Sequence, residues 1–159
     1  MKDKTGKFET LYRSLEIEER GAIKERLRIE EIAAVRKNDL DKLVSNLELV
    51  KSEISNCQGN KRSKALAEGN SQKVAGLVQH TARLKNDCEN LQKKVKKQSE
   101  SFHKALERLK AAEEILLEKR VEKKKIEKLI ETKNTERRIK KEALVEIDNE
   151  ERSNFKNRS

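Results

Sequence analysis

The chain has 159 residues, of which 33% are hydrophobic, 3% aromatic and 43% charged, and its net charge is +10. This composition lacks the bulky apolar side chains that a globular core of this length requires. Low hydrophobicity with high charge is typical of disordered chains, but here both signs of charge are mixed and apolar residues recur at helical spacing. Because no proline and only five glycines interrupt the pattern, we predict two or three very long helices.

The first periodic segment begins near Phe8 and extends to about Ile54, which predicts a helix over about residues 5–56. Apolar residues recur in it at steps of three and four, as in the seam of a coiled coil. The spacing slips near Ile29, where Ile32 and Ala33 compete for the seam, and we interpret this slip as a stutter. The predicted seam positions are Phe8, Leu11, Leu15, Ala22, Ile29, Ala33, Leu40, Leu43, Leu47, Val50 and Ile54.

Residues 57–71 interrupt the pattern with two glycines, two serines and two asparagines, which predicts a turn region in which residues 61–68 can form a single helical turn. A second helix is predicted over about residues 72–155. Its seam alternates steps of four and three without a break. The positions are Leu84, Cys88, Leu91, Val95, Gln98, Phe102, Ala105, Leu109, Ala112 and Leu116.

These elements predict the fold class: all-α, a long antiparallel two-helix coiled-coil hairpin with a longer C-terminal helix. We expect residues 1–159 to form a single hairpin, because a connection of about 15 residues returns the second helix along the first at little entropic cost. Placing Ile54 beside about Val74 puts Phe8 near Val121. In this register the residues from Glu122 onward have no intramolecular partner, so we expect another protein to cover them.

The sequence predicts no enzyme, no cofactor and no metal site. It contains no glycine-rich phosphate loop, and its two cysteines and two histidines lack metal-ligand spacing. Cys88 falls on the predicted seam, which is typical of a small core residue rather than a reactive thiol. Residues 1–20 carry charges throughout and no run approaches the roughly 18 apolar residues of a membrane span, so we expect a soluble, cytoplasmic protein without membrane insertion.

The net positive charge makes nucleic-acid binding a function to consider. Lys and Arg cluster in residues 93–97, and residues 119–141 hold 11 of them against four Glu. No aromatic side chains for base stacking are interleaved with these clusters, and acids are mixed in at helical spacing, so we predict a solvated exterior and no nucleic-acid binding. Residues 142–151 then reverse the sign, with five acids and no base. Alternating blocks of charge favour docking to a protein surface of opposite charge.

The segment 123–151 carries a resemblance to a known family. Leu129 lies in a charged E-K-L-x-E run, residues 127–131, and an acidic pair, Glu150 and Glu151, follows about twenty residues later. With these motifs the chain resembles the FliJ/YscO family, the central stalk proteins of bacterial type III export. The first helix is similar too, since an F-x-x-L pattern with a downstream acid occurs at residues 8–18.

The resemblance implies a non-catalytic central stalk of a type III secretion or flagellar export apparatus, located in the cytoplasm at the periphery of the inner-membrane export apparatus. Family members bind and stimulate the hexameric export ATPase with their paired chain ends, and the hairpin end faces the export gate, a membrane protein. Export chaperones are a further class of partner. The residues implied for the ATPase contact are Phe8, Leu11, Leu15, Leu129, Ile139, Leu144, Ile147, Glu150 and Glu151. No residues match the family's gate-contacting patch, so the gate contact stays unassigned, as does the choice between a flagellar and a virulence setting.

Two other functions fit the same composition. One is a generic coiled-coil scaffold or tether, and the other is a peripheral-stalk component of a rotary ATPase. Oligomeric state separates them from a central stalk, which we expect to be a monomer when isolated because its seam closes internally. A tether would be a dimer.

Overall fold

A computed structural model of the protein describes residues 4–69 and 71–157. Its elements are α1 (Lys4–Asn56), a π-helix (Cys57–Lys61), α2 (Arg62–Ala67) and α3 (Ser71–Asn157). The long helices α1 and α3 pack against each other, and the described residues contain no strand. The predicted all-α hairpin is therefore confirmed, with 53 residues in α1 and 87 in α3.

The hairpin consists of two compact parts. The bend part comprises Arg26–Ala111 and contains the chain reversal. The end part comprises Met1–Glu25 together with Ala112–Ser159. In both parts the core is narrow, because a two-helix seam buries one stripe of each helix and leaves the remaining faces in solvent.

The seam of the bend part is built from small and medium-sized side chains. Ala33, Leu84 and Ala105 are buried there. Each of the ten seam positions predicted for the second helix is buried or half-buried, the last two of them in the end part. Alternating apolar steps of four and three therefore identified the inner face of α3 correctly.

The stutter predicted near Ile29 is absent from α1. Ile32 is 39% exposed whereas Ala33 is 5% exposed, so Ala33 alone occupies the seam. Steps of four and three continue without a break once polar residues are included, and the positions are Phe8, Tyr12, Leu15, Glu19, Ala22, Arg26, Ile29, Ala33, Arg36, Leu40, Leu43, Leu47, Val50, Ile54 and Cys57. The apparent slip arose because Glu19 and Arg26 take seam positions that a search for apolar residues does not detect. The predicted seam position of Leu11 is also wrong, since Leu11 is 45% exposed and Tyr12 is half-buried in its place.

Hydrogen bonds across the bend part fix the register of the two helices. The Arg36 guanidinium donates to the Ser101 carbonyl at 3.0 Å, and the Gln98 amide donates to the Arg36 carbonyl at 3.2 Å. The predicted register would have placed residue 36 opposite about residue 92. The pairing is therefore shifted along α3 by about two helical turns, and the predicted register is wrong.

The shift results from the position of the bend. Most of the predicted turn region is helical, because the π-helix and α2 continue the chain to Ala67. A π-helix accommodates an extra residue per turn, and the Ser63 hydroxyl donates to the Gly59 carbonyl at 2.9 Å within this stretch. The turn itself, at Glu68 and Gly69, lies inside the predicted turn region but near its C-terminal end, so the chain reverses later than the predicted register assumed.

Gly69 ends α2 in the left-handed conformation, with φ of 68°. Its N–H donates to the Leu66 carbonyl at 3.2 Å, which satisfies one of the free carbonyls at the helix end. An ion pair of 3.0 Å between Lys73 and Glu68 joins the two sides of the turn. Glycine suits this position because a left-handed residue with a side chain is strained.

Candidate partner-binding surface

The last part of α3 is exposed on all sides. Lys133 is the last half-buried residue of α3, and every described side chain from Asn134 to Asn157 is exposed. We call residues 134–157 the extension. It begins later than the expected Glu122, because the corrected register keeps Lys123, Ile126 and Ile130 on the seam side of α3.

Several apolar side chains of the extension are exposed to solvent. Ile139, Leu144 and Ile147 are between 53% and 66% exposed. Ile139 and Ile147 are two turns apart and Leu144 precedes Ile147 by three positions, so the three side chains share one broad face of the helix. Large apolar side chains clustered on an exposed face are typical of a protein-interaction surface. Val145 and Phe155 are exposed as well, and the sequence analysis had not selected them.

Charges surround these apolar residues in two blocks. The basic block is residues 137–141, and the acidic block is residues 142–151 with Glu150 and Glu151 near its end. Within the helix, Arg138 lies 3.9 Å from Glu142, and Arg152 lies 3.3 Å from Asp148. Exposed i,i+4 pairs of this kind contribute little to stability, so these side chains can exchange partners readily.

The remaining site residues predicted by resemblance lie in the end part of the hairpin. Leu11 and Leu129 are about equally exposed, at 45% and 44%, and Phe8 is half-buried. Leu15 is different, because only 6% of it is exposed. This burial agrees with the seam position predicted for Leu15, and the contact with a partner that the resemblance implies for it stays a prediction.

A cluster of ion pairs occupies the seam of the end part. Lys123 Nζ lies 3.2 Å from Glu19 Oε2 and 3.7 Å from Glu16 Oε1. Arg120 Nε lies 3.5 Å from Glu19 Oε1, so two cations of α3 converge on one carboxylate of α1. The Lys123 ammonium also lies 5.3 Å from the centroid of the Tyr12 ring, in the range of a cation–π contact.

One further pair extends this cluster. Lys119 Nζ lies 2.9 Å from Glu18 Oε2 and 3.9 Å from Glu122 Oε2. The hydrogen bond to Glu18 raises the pKa of Lys119, and the hydrogen bond to Glu19 raises the pKa of Lys123. Hydrophobic periodicity does not predict this cluster, because its seam residues are charged. Continuing the steps of four and three beyond Leu116 would have reached both lysines.

The basic residues at 93–97 lie on the outside of the bend part. Lys93, Lys94, Lys96 and Lys97 are exposed, whereas Val95 between them is half-buried in the seam. This arrangement is that of a coiled-coil exterior, with one apolar residue turned inward and its charged neighbours in solvent.

Within residues 4–69 and 71–157, no group of His, Cys, Asp and Glu side chains could hold a metal ion. No helix in that part of the chain is long and apolar enough to cross a membrane. Cys57 is buried and Cys88 is half-buried, and both thiols are free.

Comparison of the chain with protein-family models, curated proteins and solved structures gave no match. The structure itself shows a helical hairpin whose longer helix ends in the exposed extension.

Proposed function

We propose that this protein is the non-catalytic central stalk of a bacterial type III secretion or flagellar export apparatus. In this role it binds and stimulates the hexameric export ATPase and links the ATPase to the export gate. The single observation that carries the proposal is the extension, residues 134–157, which presents apolar side chains on every described turn between Ile139 and Ile147 without burying them. The resemblance to the FliJ/YscO family supplies the identity of the partner.

The exposure of the extension on all sides favours a partner that surrounds a helix. Most helical stability in proteins comes from packing of an apolar face, so the extension gains stability when another protein buries its apolar side chains. A ring of six subunits with a central pore offers such a surface around the whole circumference. Because the two charge blocks follow each other along the helix, the pore would match them with an acidic zone and then a basic zone.

Stimulation follows from the asymmetry of such a complex. One helix cannot make the same contacts with six equivalent subunits, so it binds some subunit conformations more tightly than others. A ligand shifts a conformational equilibrium by its difference in affinity for the two states. The helix would therefore favour closed nucleotide interfaces on one side of the ring, which raises turnover and favours the assembled hexamer.

The acids of the extension provide a test of this contact. We expect reversal of Glu146 and Glu150 to lysine to weaken stimulation of the export ATPase, and to weaken it more at low salt, because exposed charges interact less once salt screens them. The matched control reverses Glu107 and Glu114, two exposed acids of α3 that precede the extension. Turnover of the purified ATPase is measured with each variant, and equal loss in both variants would contradict a specific role for the extension.

Purification of the partner from the native cell tests the identity of the complex. The intact protein should retain a hexameric ATPase from the lysate, whereas the variant with Glu146 and Glu150 reversed should retain less of it. A generic tether predicts another outcome, in which no ATPase is retained and the purified protein forms a dimer through its hairpin seam.

A further inference from the structure

The extension continues the seam pattern of the paired helices. Ile130 and Lys133 are the last half-buried positions of α3, and the same alternation of four and three then reaches residues 137, 140, 144, 147 and 151. Two adjacent positions in this series are apolar, Leu144 and Ile147, and they are 66% and 53% exposed. Lys140 precedes them and Glu151 follows them. The stripe thus has an apolar centre between a cation on one side and an anion on the other.

We propose that the extension pairs with the extension of a second copy of this chain, antiparallel, about a two-fold axis between Leu144 and Ile147. In an antiparallel two-helix coiled coil, seam residues of one helix alternate in layers with those of the other. Setting Leu144 of one copy against Ile147 of the second produces two equivalent apolar layers. The same register sets Lys140 of each copy against Glu151 of the other, so the outer layers are oppositely charged.

Charges beside the seam agree with this register. Lys141 follows Lys140, and Asp148 follows Ile147, so both flank the seam on the same side of the helix. In the antiparallel pair, Lys141 of one copy meets Asp148 of the other. Asp148 makes an exposed i,i+4 pair with Arg152 at 3.3 Å, which is weak enough to be exchanged for the contact between copies.

The order of the charges along the extension favours a second copy of the chain as its partner. It also favours antiparallel pairing of the two copies. A parallel pair in register would bring Lys140 against Lys140 and Glu151 against Glu151, and like charges opposed in this way are repulsive. An antiparallel pair converts both repulsions into attractions, because the basic block of one chain lies along the acidic block of the other. A helix that is its own electrostatic complement under a two-fold rotation fits an isologous contact.

This inference does not rest on the proposed function. It concerns the isolated chain, and it replaces the expected monomer with a dimer that depends on protein concentration. The seam between α1 and α3 stays intramolecular, so this dimer differs from that of a tether, which pairs through that seam. The contact is short, with two apolar layers, so we expect it to form at high protein concentration and to dissociate on dilution. If the extension also binds a partner, self-pairing occupies the same face and competes with that partner.

Charge exchange in the extension tests the register. One variant carries Lys140→Glu and Lys141→Glu, and a second carries Asp148→Lys and Glu151→Lys. A third variant combines all four substitutions, which reverses every proposed pair and preserves its attraction. Analytical ultracentrifugation measures the dissociation constant of each at low salt, and circular dichroism measures helix content.

We expect the parent to dimerise and each double variant to raise the dissociation constant at least about tenfold, since both lose four attractive contacts and gain repulsions. An equimolar mixture of the two double variants should recover the dimer, and so should the fourfold variant. The proposal is overturned if the parent is monomeric at about 100 μM protein and low salt. It is equally overturned if the fourfold variant keeps its helix content and does not dimerise.

Discussion

Ala105 is only 1% exposed, the lowest value in the seam of the bend part. The register set by Arg36 and Ser101 brings it about level with Ala33, which is 5% exposed, so we expect the two alanines to share one layer of the seam. A larger side chain at such a position forces the helices apart. Overpacking of this kind costs about 1–3 kcal/mol.

We therefore expect Ala105→Leu to lower the free energy of unfolding by about 1–3 kcal/mol, measured by denaturant titration. Ala111→Leu is the matched control, because Ala111 is exposed on the same helix and a leucine there costs little helix propensity. Equal stability of the two variants would mean that residue 105 does not face α1.

The ion-pair cluster predicts that the stability of the fold decreases at alkaline pH. The pKa values of Lys119 and Lys123 are raised above their ordinary 10.5 by hydrogen bonds to Glu18 and Glu19. A group whose pKa is higher in the folded state stabilises that state fully below its unfolded pKa, and this contribution is lost as the pH rises through the folded value. The cluster should therefore stabilise the fold up to about pH 10.5 and progressively less above it.

The measurement compares the parent with a variant carrying Lys119→Gln and Lys123→Gln. The parent should have the higher denaturation midpoint at pH 9, and the difference should narrow above about pH 10.5. Substitution of the exposed Lys93 and Lys94 with glutamine is the control for general charge effects. A difference that widens with rising pH would contradict the assigned hydrogen bonds.

At the scale of the elements, the corrected register makes a prediction about proximity. In a background with Cys57 and Cys88 replaced by alanine, Leu47→Cys combined with Leu91→Cys should react quickly with a short bismaleimide. Leu47→Cys combined with Leu84→Cys should react slowly, because Leu84 is about 10 Å further along the helix axis. Both crosslinks are scored within one chain by mass spectrometry, and faster reaction of the second pair would restore the register predicted from the sequence.

The sequence was sufficient for the helices and for the seam of α3, because steps of four and three continue there without a break from Leu84 to Leu116 and Gln98 is the one polar residue among them. It located the bend within residues 57–71, which include the turn at Glu68 and Gly69, but it did not predict the π-helix, since glycine and serine near Gly59 are typical of turns and equally compatible with a π-helix. The register error followed directly, because the register of a hairpin depends on where the chain reverses. The start of the extension was then predicted 12 residues too early, at Glu122 instead of Asn134.

The candidate site was predictable in part. Ile139, Leu144 and Ile147 are exposed, and their place in the C-terminal portion of a long helix was evident from the sequence. Leu15 is buried, as its predicted seam position requires, whereas the contact with a partner that the resemblance implies for it could not be read from periodicity. The ion-pair cluster around Lys123 was missed for a related reason, since hydrophobic periodicity does not detect a seam position with a charged side chain.

For the molecule as a whole, the charge is distributed unevenly between the two parts. The bend part, Arg26–Ala111, contains 19 Lys or Arg against 11 Asp or Glu, a net charge of +8 out of the total of +10. The end part contains 20 against 18, a net charge of +2, and it includes the extension. Any partner of the extension therefore recognises the order of its charges rather than an excess of one sign.

The most direct test of the proposed function is a truncation that ends at Lys133. Ending the chain at Arg120 would also remove Lys123, Ile126 and Ile130 from the seam side of α3 and disturb the fold, whereas residues 1–133 retain every half-buried position of α3. Turnover of the export ATPase is measured with the full chain and with residues 1–133, and circular dichroism establishes that both unfold at similar temperature. We predict that the full chain stimulates the ATPase and the truncated chain does not. Equal stimulation by the two would contradict the claim that the extension is the part of the stalk that engages the ATPase.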